Sequence, residues 1–348
     1  MSKTNIRGDF PILATSSRGK PLTYLDNAAT TQKPQCVIDA IGRYYATFNA
    51  NVHRAAHEMA EKATAELENT RGSCAQFLNA RSIDEIIFTK GTTESINLVA
   101  NSVPTLLKKR RNIVISELEH HSNIVPWQLL AERHNLDVVA IGISDNGELD
   151  LEQARSLINE DTALVAITHV SNGLGVVNDV EAISKMAREN GALYLVDGAQ
   201  SALHFPINVE DIDCDFFVFS GHKLFGPTGI GVLWGRRELL EKMTPWQGGG
   251  EMIEKVSIAS STYQQPPFKF EAGTPNIAGV IAFKKAIDFI EEIGVENMKE
   301  HEDKLLNYAT KKLEEIPNLS IIGTAPKKSG IISFVVSEIH HYDLGLIL

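Results

Sequence analysis

The chain has 348 residues, of which 43% are hydrophobic and 22% charged, a composition typical of a globular protein with enough chain for two domains. Its 33 basic and 44 acidic residues give a net charge of −11, which argues against a broad nucleic-acid-binding or anionic-membrane surface. Since the N-terminus lacks an apolar signal core and no apolar stretch reaches the roughly 20 residues that span a bilayer, we expect a cytoplasmic protein.

Helical patterns come first in the chain, near residues 34–48 and 57–79. Between about residues 80 and 235, six short apolar runs predict strands: DEIIFT, NIVISE, LDVVAI, TALVAITH, ALYLVDG and DFFVFS. The segments between them have helical spacing, and several have Ser, Thr or Asp near the start: TTESINLVANSV, SNIVPWQLLAERH, DLEQARSLI and DVEAISKMAREN. This alternation predicts a mostly parallel α/β sheet with helices on both faces.

The C-terminal part follows the turn-rich segments QGGG and QQPP. A long helical pattern covers about residues 276–316, and LSIIG and GIISFVV then predict two strands. We therefore predict an N-terminal segment (1–25), a large α/β domain (26–265) and a smaller α+β domain (266–348).

Polar residues follow several predicted strands, where ligands bind in open α/β sheets. Gly91, Thr92 and Thr93 begin a helix after IIFT, and the free N–H groups of such a helix start favour an anion such as a phosphate. For these three residues alone, a plain helix cap is the simpler interpretation.

Two further strand ends carry candidate groups. Asp197 ends ALYLVD, with Gln200 three residues later, and this aspartate could either cap a helix or hold a proton on a ring nitrogen. His120 and His121 follow NIVISE. Histidine pairs in loops more often fill surface or core, but an imidazole can also stack on an aromatic ring and move protons.

A lysine, Lys223, lies between the apolar run DFFVFS and a glycine-rich turn, next to Ser220 and His222. Lysine is seldom fully buried unless it is paired or modified. Its ordinary pKa of about 10.4 leaves little free amine at neutral pH, and burial would increase that fraction. An anion-binding helix start, a carboxylate, an imidazole and a nucleophilic amine together favour one ligand, pyridoxal 5′-phosphate.

Several of these segments resemble a known family. GTTESINLVA, EHHSNIVPWQ, VDGAQSALH, FSGHKLFGPTGIGVLWG and FEAGTPNIAG, with YLDNAATTQKP and NVHRAAHEMA, are similar to segments of the SufS-type cysteine desulfurases, within the class V aminotransferase group of fold-type I enzymes. The resemblance runs from about Tyr24 to the last residue. It implies a fold-type I architecture, pyridoxal 5′-phosphate, a homodimer, and removal of sulfur from L-cysteine to give L-alanine and an enzyme persulfide. The sulfur would pass to an acceptor protein for iron–sulfur cluster assembly.

The resemblance also implies roles for individual residues. Lys223 would hold the cofactor covalently and move a proton at the substrate's α-carbon, Asp197 would pair with the ring nitrogen, and His120 would stack on the ring. Gln200 would hydrogen-bond the ring oxygen, and Asn172 would help to hold the substrate carboxylate. The phosphate would be held by Thr92 or Thr93, Ser220 and His222, and by Thr274 of the other subunit. From the residues alone, a surface turn is the better prediction for Asn172 and Thr274.

Other candidate groups lead to no site. His53 and His57 have the i, i+4 spacing of a helical metal site, but no third ligand suggests itself, so we predict no metal. Cys36, Cys74 and Cys214 form no CxxC pair and have no mobile basic surroundings. We expect them to be reduced, half-buried and not catalytic.

The segment SFVVSEIHHYDLGLIL ends on apolar residues, without a glycine stop or a polar tail, and looks cut off. In the resembled family the nucleophilic cysteine and a substrate-binding arginine lie beyond this point, so we expect the chain as given to be inactive or only feebly active. Two alternatives stay open. A selenocysteine lyase, or another class V lyase or aminotransferase, would be distinguished by the missing segment, and a non-catalytic scaffold by the lack of a yellow cofactor.

Overall fold

A computed structural model describes residues 6–107 and 110–347. Its strands are β1 (Ser16–Ser17), β2 (Lys20–Pro21), β3 (Ile86–Thr89), β4 (Asn112–Ser116), β5 (Asp137–Ile141), β6 (Thr162–Thr168), β7 (Leu193–Asp197), β8 (Phe216–Ser220), β9 (Gly231–Gly235), β10 (Ile253–Val256), β11 (Ser261–Tyr263), β12 (Leu319–Ile322) and β13 (Ser333–Val336). Strands β3 to β9 form one central sheet in the order β3-β9-β8-β7-β6-β4-β5. The other strands pair into two-stranded antiparallel ribbons.

The α-helices are α1 (Gln35–Thr47), α2 (Glu58–Phe77), α3 (Thr92–Ser102), α4 (Val125–His134), α5 (Leu151–Leu157), α6 (Val180–Asn190), α7 (Val209–Ile212), α8 (Arg237–Lys242), α9 (Ile277–Ile293), α10 (Val295–Glu314) and α11 (His341–Ile347). The helix predicted over 276–316 is in fact two helices, because Gly294 takes a φ of +85° that ends α9. Across residues 6–107 and 110–347, no helix combines the length and apolar character needed to cross a membrane.

The central sheet is mostly parallel, as the sequence predicts. Strands β4, β5, β6, β7 and β8 pair in parallel, and β9 runs antiparallel to both β8 and β3. All six predicted strands of this region are present. Strand β9 was missed, because its glycine-rich flanks favour a turn while its buried centre is short and apolar.

Both faces of the sheet are covered, which explains why its central strands are apolar throughout. Successive residues of a strand point to opposite faces. Leu195 and Phe216 thus pack in one core with Trp127 of α4, whereas Val196 and Phe217 pack in the other, which includes residues of α6 and α9. Helix α9 also packs on α1 and α2. The buried sheet therefore supplies a rigid platform for the loops at its carboxyl edge.

One buried arginine ties the segment before Thr274 to the sheet. The Arg71 side chain is fully buried in α2, and its N–H groups donate to both oxygens of Glu271 (2.7 and 2.9 Å), both oxygens of Glu68 (2.9 and 3.1 Å) and the Ile86 carbonyl (2.8 Å). Glu271 also accepts the backbone N–H of Phe88 in β3 (2.8 Å). Since every guanidinium N–H has an acceptor, the burial of this charge is compensated.

Candidate active site

The candidate site begins where two neighbouring parallel strands end. Asp197 is the last residue of β7, and Ser220 is the last residue of β8. The short 3-10 turn Gly221–Lys223 follows β8 directly, so Lys223 lies beyond the same edge of the sheet as Asp197. The site therefore occupies the position at which ligands bind in open α/β sheets.

Asp197 and Lys223 are close enough to influence each other's protonation. Burial raises the pKa of Asp197 from 3.8 to about 6, while the Ala199 N–H (2.9 Å) and the charge of Lys223 act in the opposite direction. Burial lowers the pKa of the Lys223 amine, and the Asp197 carboxylate opposes that change. At neutral pH the site therefore combines an ionised carboxylate with an amine that loses its proton more readily than an exposed lysine.

An anion-binding cup lies at the start of α3. Gly91 is the N-cap and offers no side-chain cap, while the Thr92 N–H and the Thr92 hydroxyl both lie 2.8 Å from Ser220 Oγ. A cavity of about 440 Å³ opens here, lined by Lys90, Gly91, Thr92, Thr93, Glu94, Asn97, Ser220, His222 and Trp246. Thr92, Thr93, Ser220 and His222 are thus brought together as the sequence predicts, and the positive helix end favours an anion among them.

Two glycines allow the backbone of this cup to pack closely. Gly91 takes a φ of +155°, and a Cβ on Gly231 of β9 would lie only 2.4 Å from the Gly91 Cα. Any larger residue at position 231 would push the cup away from the sheet.

His120 lies at the end of the loop that follows β4. Its side chain is exposed, and its Nδ1 accepts the backbone N–H of Ser122 (3.1 Å). Burial of part of the ring lowers its pKa, as do the nearby charges of Lys223 and His121. A neutral imidazole close to Lys223, with an open face, could stack on a planar ligand.

Glu119, which precedes His120 and is buried, was not predicted from the sequence as a site residue. Its carboxylate accepts hydrogen bonds from the Ser116 hydroxyl (2.5 Å), the Asn123 amide (2.6 Å) and the Thr168 N–H (2.9 Å). Burial raises its pKa to about 8, and the charge of Asp197 adds to that increase. Glu119 thus holds the His120 loop against β6. No sequence signal beyond its place in EHHSN marks it.

The segment between Ala28 and Lys33 forms another wall of the site. The Gln200 amide donates to the Ala28 carbonyl (2.8 Å), and His222 Nδ1 lies 3.1 Å from the Thr30 hydroxyl. This segment belongs to the motif YLDNAATTQKP, and no role was predicted for its individual residues.

The two remaining candidates, Asn172 and Thr274, lie on loops. Both are exposed, Asn172 on the loop after β6 and Thr274 on the loop before α9. The backbone of the second loop is anchored, because the N–H of Gly273 donates to the Gly250 carbonyl (2.9 Å) and Glu271 binds Arg71.

Comparisons with known proteins agree with this geometry. The model of the aminotransferase class-V family matches residues 23–348. A cysteine desulfurase of Pectobacterium atrosepticum is 46% identical over 345 residues, covering 99% of this chain and 84% of that protein, and a probable cysteine desulfurase of Streptomyces coelicolor is 51% identical with the same coverage. The chain belongs to the cysteine desulfurases.

Solved structures of cysteine desulfurases share the fold. The apo structure of the enzyme from Thermococcus onnurineus is 40% identical, covers 100% of this chain and 86% of its own, and superposes with a TM-score of 0.94. A cysteine desulfurase structure from Escherichia coli covers 97% of this chain and 84% of its own, with 38% identity and a TM-score of 0.88. The predicted fold-type I α/β architecture is therefore confirmed.

Pyridoxal 5′-phosphate is the cofactor of this protein, as a member of the cysteine desulfurase family. The residues of the candidate site fit this cofactor. Asp197 offers a buried carboxylate for a ring N–H, and Lys223 offers an amine for an aldehyde. The start of α3 offers backbone N–H groups and the adjacent Ser220 hydroxyl for a phosphate, in a cup whose backbone a Cβ on Gly231 would displace. One ligand with these three groups satisfies all of them.

The cysteines and the His53–His57 pair do not join the site. Cys74 and Cys214 are fully buried, and burial raises the pKa of both thiols, whereas Cys36 is exposed, so the expectation of three half-buried cysteines was wrong. His53 instead lies 3.0 Å from a Glu68 oxygen, and His57 caps α2 by accepting the Ala60 N–H (3.3 Å).

Proposed function

We propose that the protein is a pyridoxal 5′-phosphate-dependent enzyme that removes sulfur from L-cysteine and leaves L-alanine. The observation that carries the proposal is the placement of Asp197 and Lys223 beyond the carboxyl ends of adjacent strands, beside the anion-binding cup of α3. The related proteins of Pectobacterium atrosepticum and Streptomyces coelicolor, which carry the name cysteine desulfurase, support the choice of substrate.

The cofactor supplies an electron sink for the bonds that break at the substrate. Asp197, ionised above its pKa of about 6, would keep a proton on the ring nitrogen. Lys223, with its pKa lowered by burial, would bind the cofactor aldehyde and then carry a proton to and from the substrate's α-carbon. His120 would stack on the ring, and Gln200 would donate to the ring oxygen.

The remaining binding roles are also proposed. Thr92, Thr93, Ser220 and His222 would hold the phosphate, supported by the cavity that they line. Asn172 would help to bind the substrate carboxylate. We further propose a homodimer in which Thr274 reaches the phosphate of the second subunit. Its exposure on an anchored loop supports this role.

The fate of the sulfur, its acceptor and the cellular location are proposed from the sequence resemblance. We propose that a cysteine thiol attacks the substrate sulfur, so that an S–S bond forms as the C–S bond breaks and a proton completes L-alanine, and that the resulting persulfide passes its sulfur to an acceptor protein for iron–sulfur cluster assembly in the cytoplasm. The division into residues 1–25, 26–265 and 266–348 stays a prediction as well.

The test is spectroscopic and chemical. The chain with pyridoxal 5′-phosphate should show the visible absorbance of a lysine-bound cofactor, and added L-cysteine should change that absorbance. Lys223→Ala should abolish the covalent attachment, while Lys242→Ala on the surface of α8 should not. Attachment retained in Lys223→Ala, or no response of the parent chain to L-cysteine, would contradict the proposal.

A further inference from the structure

The turn that carries Lys223 is too short to hold itself rigidly. It is a single 3-10 turn, Gly221–Lys223, and such turns have poor hydrogen-bond geometry and little stability of their own. Within the turn, the Leu224 N–H donates to the Gly221 carbonyl (2.9 Å). The position of the Lys223 backbone therefore depends on contacts from other parts of the chain.

The His222 carbonyl receives an unusual number of donors, all from one distant segment. This carbonyl belongs to the peptide bond that leads into Lys223. Its oxygen is approached by the Lys33 ammonium (2.9 Å), the Thr31 hydroxyl (3.0 Å), the Thr31 N–H (3.1 Å) and the Thr30 hydroxyl (3.2 Å). A carbonyl oxygen has two lone pairs, so four donors are more than its hydrogen-bonding capacity requires.

Thr31 bridges the two sides of Lys223 along the chain. Its hydroxyl donates to the His222 carbonyl and accepts the Phe225 N–H (2.9 Å). The Thr31 side chain is buried, with 4% of the residue exposed. One hydroxyl therefore fixes the backbone both before and after the residue that bears the amine.

Lys33 adds a charged donor to the same oxygen. Its ammonium also donates to the Thr31 carbonyl, and among the described residues it forms no ion pair with a carboxylate. Half-burial lowers its pKa to about 8. Hydrogen bonds from a charged donor are stronger than neutral ones, which suits a group that holds a backbone in place.

We propose that Thr31 and Lys33, here called the carbonyl clamp, are positioning residues that direct the Lys223 amine to its target. In the step they assist, the amine nitrogen forms a C=N bond with the cofactor aldehyde and one water molecule leaves, without any oxidant or reductant. The inference rests on the proposed role of Lys223. Among the described residues, neither clamp side chain forms a hydrogen bond with the Lys223 amine. Their effect passes through the His222 carbonyl and the Phe225 N–H.

The test compares two ligands on the cofactor-free full chain. Pyridoxal 5′-phosphate can attach to Lys223, whereas pyridoxamine 5′-phosphate has no aldehyde and can only bind. In Thr31→Val and in Lys33→Met, covalent attachment, followed by its absorbance, should be about tenfold slower or more. The dissociation constant of pyridoxamine 5′-phosphate should stay within about twofold of the parent value.

Conservative and surface variants complete the test. Thr31→Ser keeps the hydroxyl and should restore the parent rate. Thr47→Val, which removes a hydroxyl that donates to the Arg43 carbonyl on the surface of α1 (2.6 Å), should attach at the parent rate. If Thr31→Val does not fold, Lys33→Met carries the comparison.

Two failures can be told apart. Unchanged attachment rates in both clamp variants, or an equal loss of pyridoxamine 5′-phosphate binding, would overturn the clamp and leave the proposed function standing. Borohydride reduction followed by peptide mapping identifies the modified lysine of the parent chain. A label on any lysine other than Lys223 would overturn the proposed function, and the clamp with it.

Discussion

Asp197 and Lys223 lie beyond the carboxyl ends of two adjacent parallel strands, and each shifts the pKa of the other. Strands β7 and β8 pair directly, with Asp197 opposite Val218. The register of the sheet therefore determines the distance between the backbone of Asp197 and the turn that carries Lys223. The carboxylate raises the pKa of the amine, and the ammonium lowers the pKa of the carboxyl group. This coupling can be tested in the cofactor-free chain.

Removing the carboxylate should move the pH dependence of cofactor attachment. Attachment needs the neutral amine, and Asp197 raises the pKa of Lys223. In Asp197→Asn that pKa should fall further, so the rate of attachment should reach its plateau at a lower pH than in the parent chain. The rate is measured by absorbance over a series of pH values. Asp137→Asn, at an exposed position in β5, is the control. A plateau of the attachment rate at a more alkaline pH in Asp197→Asn would disprove the coupling.

The same substitution should stabilise the cofactor-free chain at neutral pH. The pKa of Asp197 is about 6 in the folded chain against 3.8 ordinarily, so the folded state binds this proton more tightly than the unfolded state does. Stability is therefore lost as the pH rises from about 4 to 6, and the cost, on the order of 3 kcal/mol at most, is fully present at neutral pH.

Urea unfolding of the cofactor-free chain measures this effect. Asp197→Asn should increase the free energy of unfolding by about 1–3 kcal/mol near pH 7, and the gain should vanish below about pH 3, where the aspartic acid is protonated in both states. The amide oxygen of asparagine can still accept the Ala199 N–H. Equal stability of the two proteins near pH 7 would show that burial of the carboxylate costs little.

Ser220 should contribute to cofactor binding only through its hydrogen bond to the phosphate group. Ser220→Ala removes the hydroxyl that lies 2.8 Å from the Thr92 N–H and from the Thr92 hydroxyl. The dissociation constant of pyridoxal 5′-phosphate should rise about tenfold, since hydrogen bonds to charged groups contribute about 1.5–3 kcal/mol. Pyridoxal, which has no phosphate, should bind unchanged. Ser156→Ala, at an exposed position in α5, is the control. Equal losses for both ligands would place Ser220 outside the phosphate site.

Arg71 should matter far more for stability than an exposed arginine. Arg71→Met leaves Glu271 buried without its partner, and the free energy of unfolding should fall by about 3–5 kcal/mol. Arg81→Met removes an exposed ion pair with Glu210 and should change the free energy of unfolding by less than about 1 kcal/mol. Urea unfolding of both variants gives the comparison, and similar losses would mean that burial of Arg71 is unimportant.

Much of the sheet could be predicted from the sequence because its strands are continuous apolar runs. Runs such as ALYLVD and DFFVFS leave no polar face, which only a sheet covered on both sides explains. Strand β9 and the ribbon of β10 and β11 gave weaker signals. The β9 run is flanked by glycines, and the residues of β10 and β11 are exposed or half-buried, so neither shows a clear period of apolar residues.

The candidate residues of the site could be predicted from the sequence, but the residues that hold them in place could not. Asp197 and Lys223 are visible because each is a charged residue at or close to the end of an apolar run, where charged side chains are seldom buried without a partner. Glu119 and Thr31 act through hydrogen bonds to β6 and to the Lys223 turn, and Thr31 is 191 residues away from His222 in the chain. No local pattern records a contact over such a separation.

The sequence alone determined the parallel sheet, the strand ends that carry Asp197 and Lys223, and a resemblance specific enough to indicate the cofactor, because hydrophobic periodicity and short motifs are local properties of the chain. Only the tertiary structure decided how strongly these groups shift each other's pKa and which segment holds the Lys223 turn. Both depend on burial and on distances between residues far apart in the chain, and these are determined only when the helices and the sheet pack together.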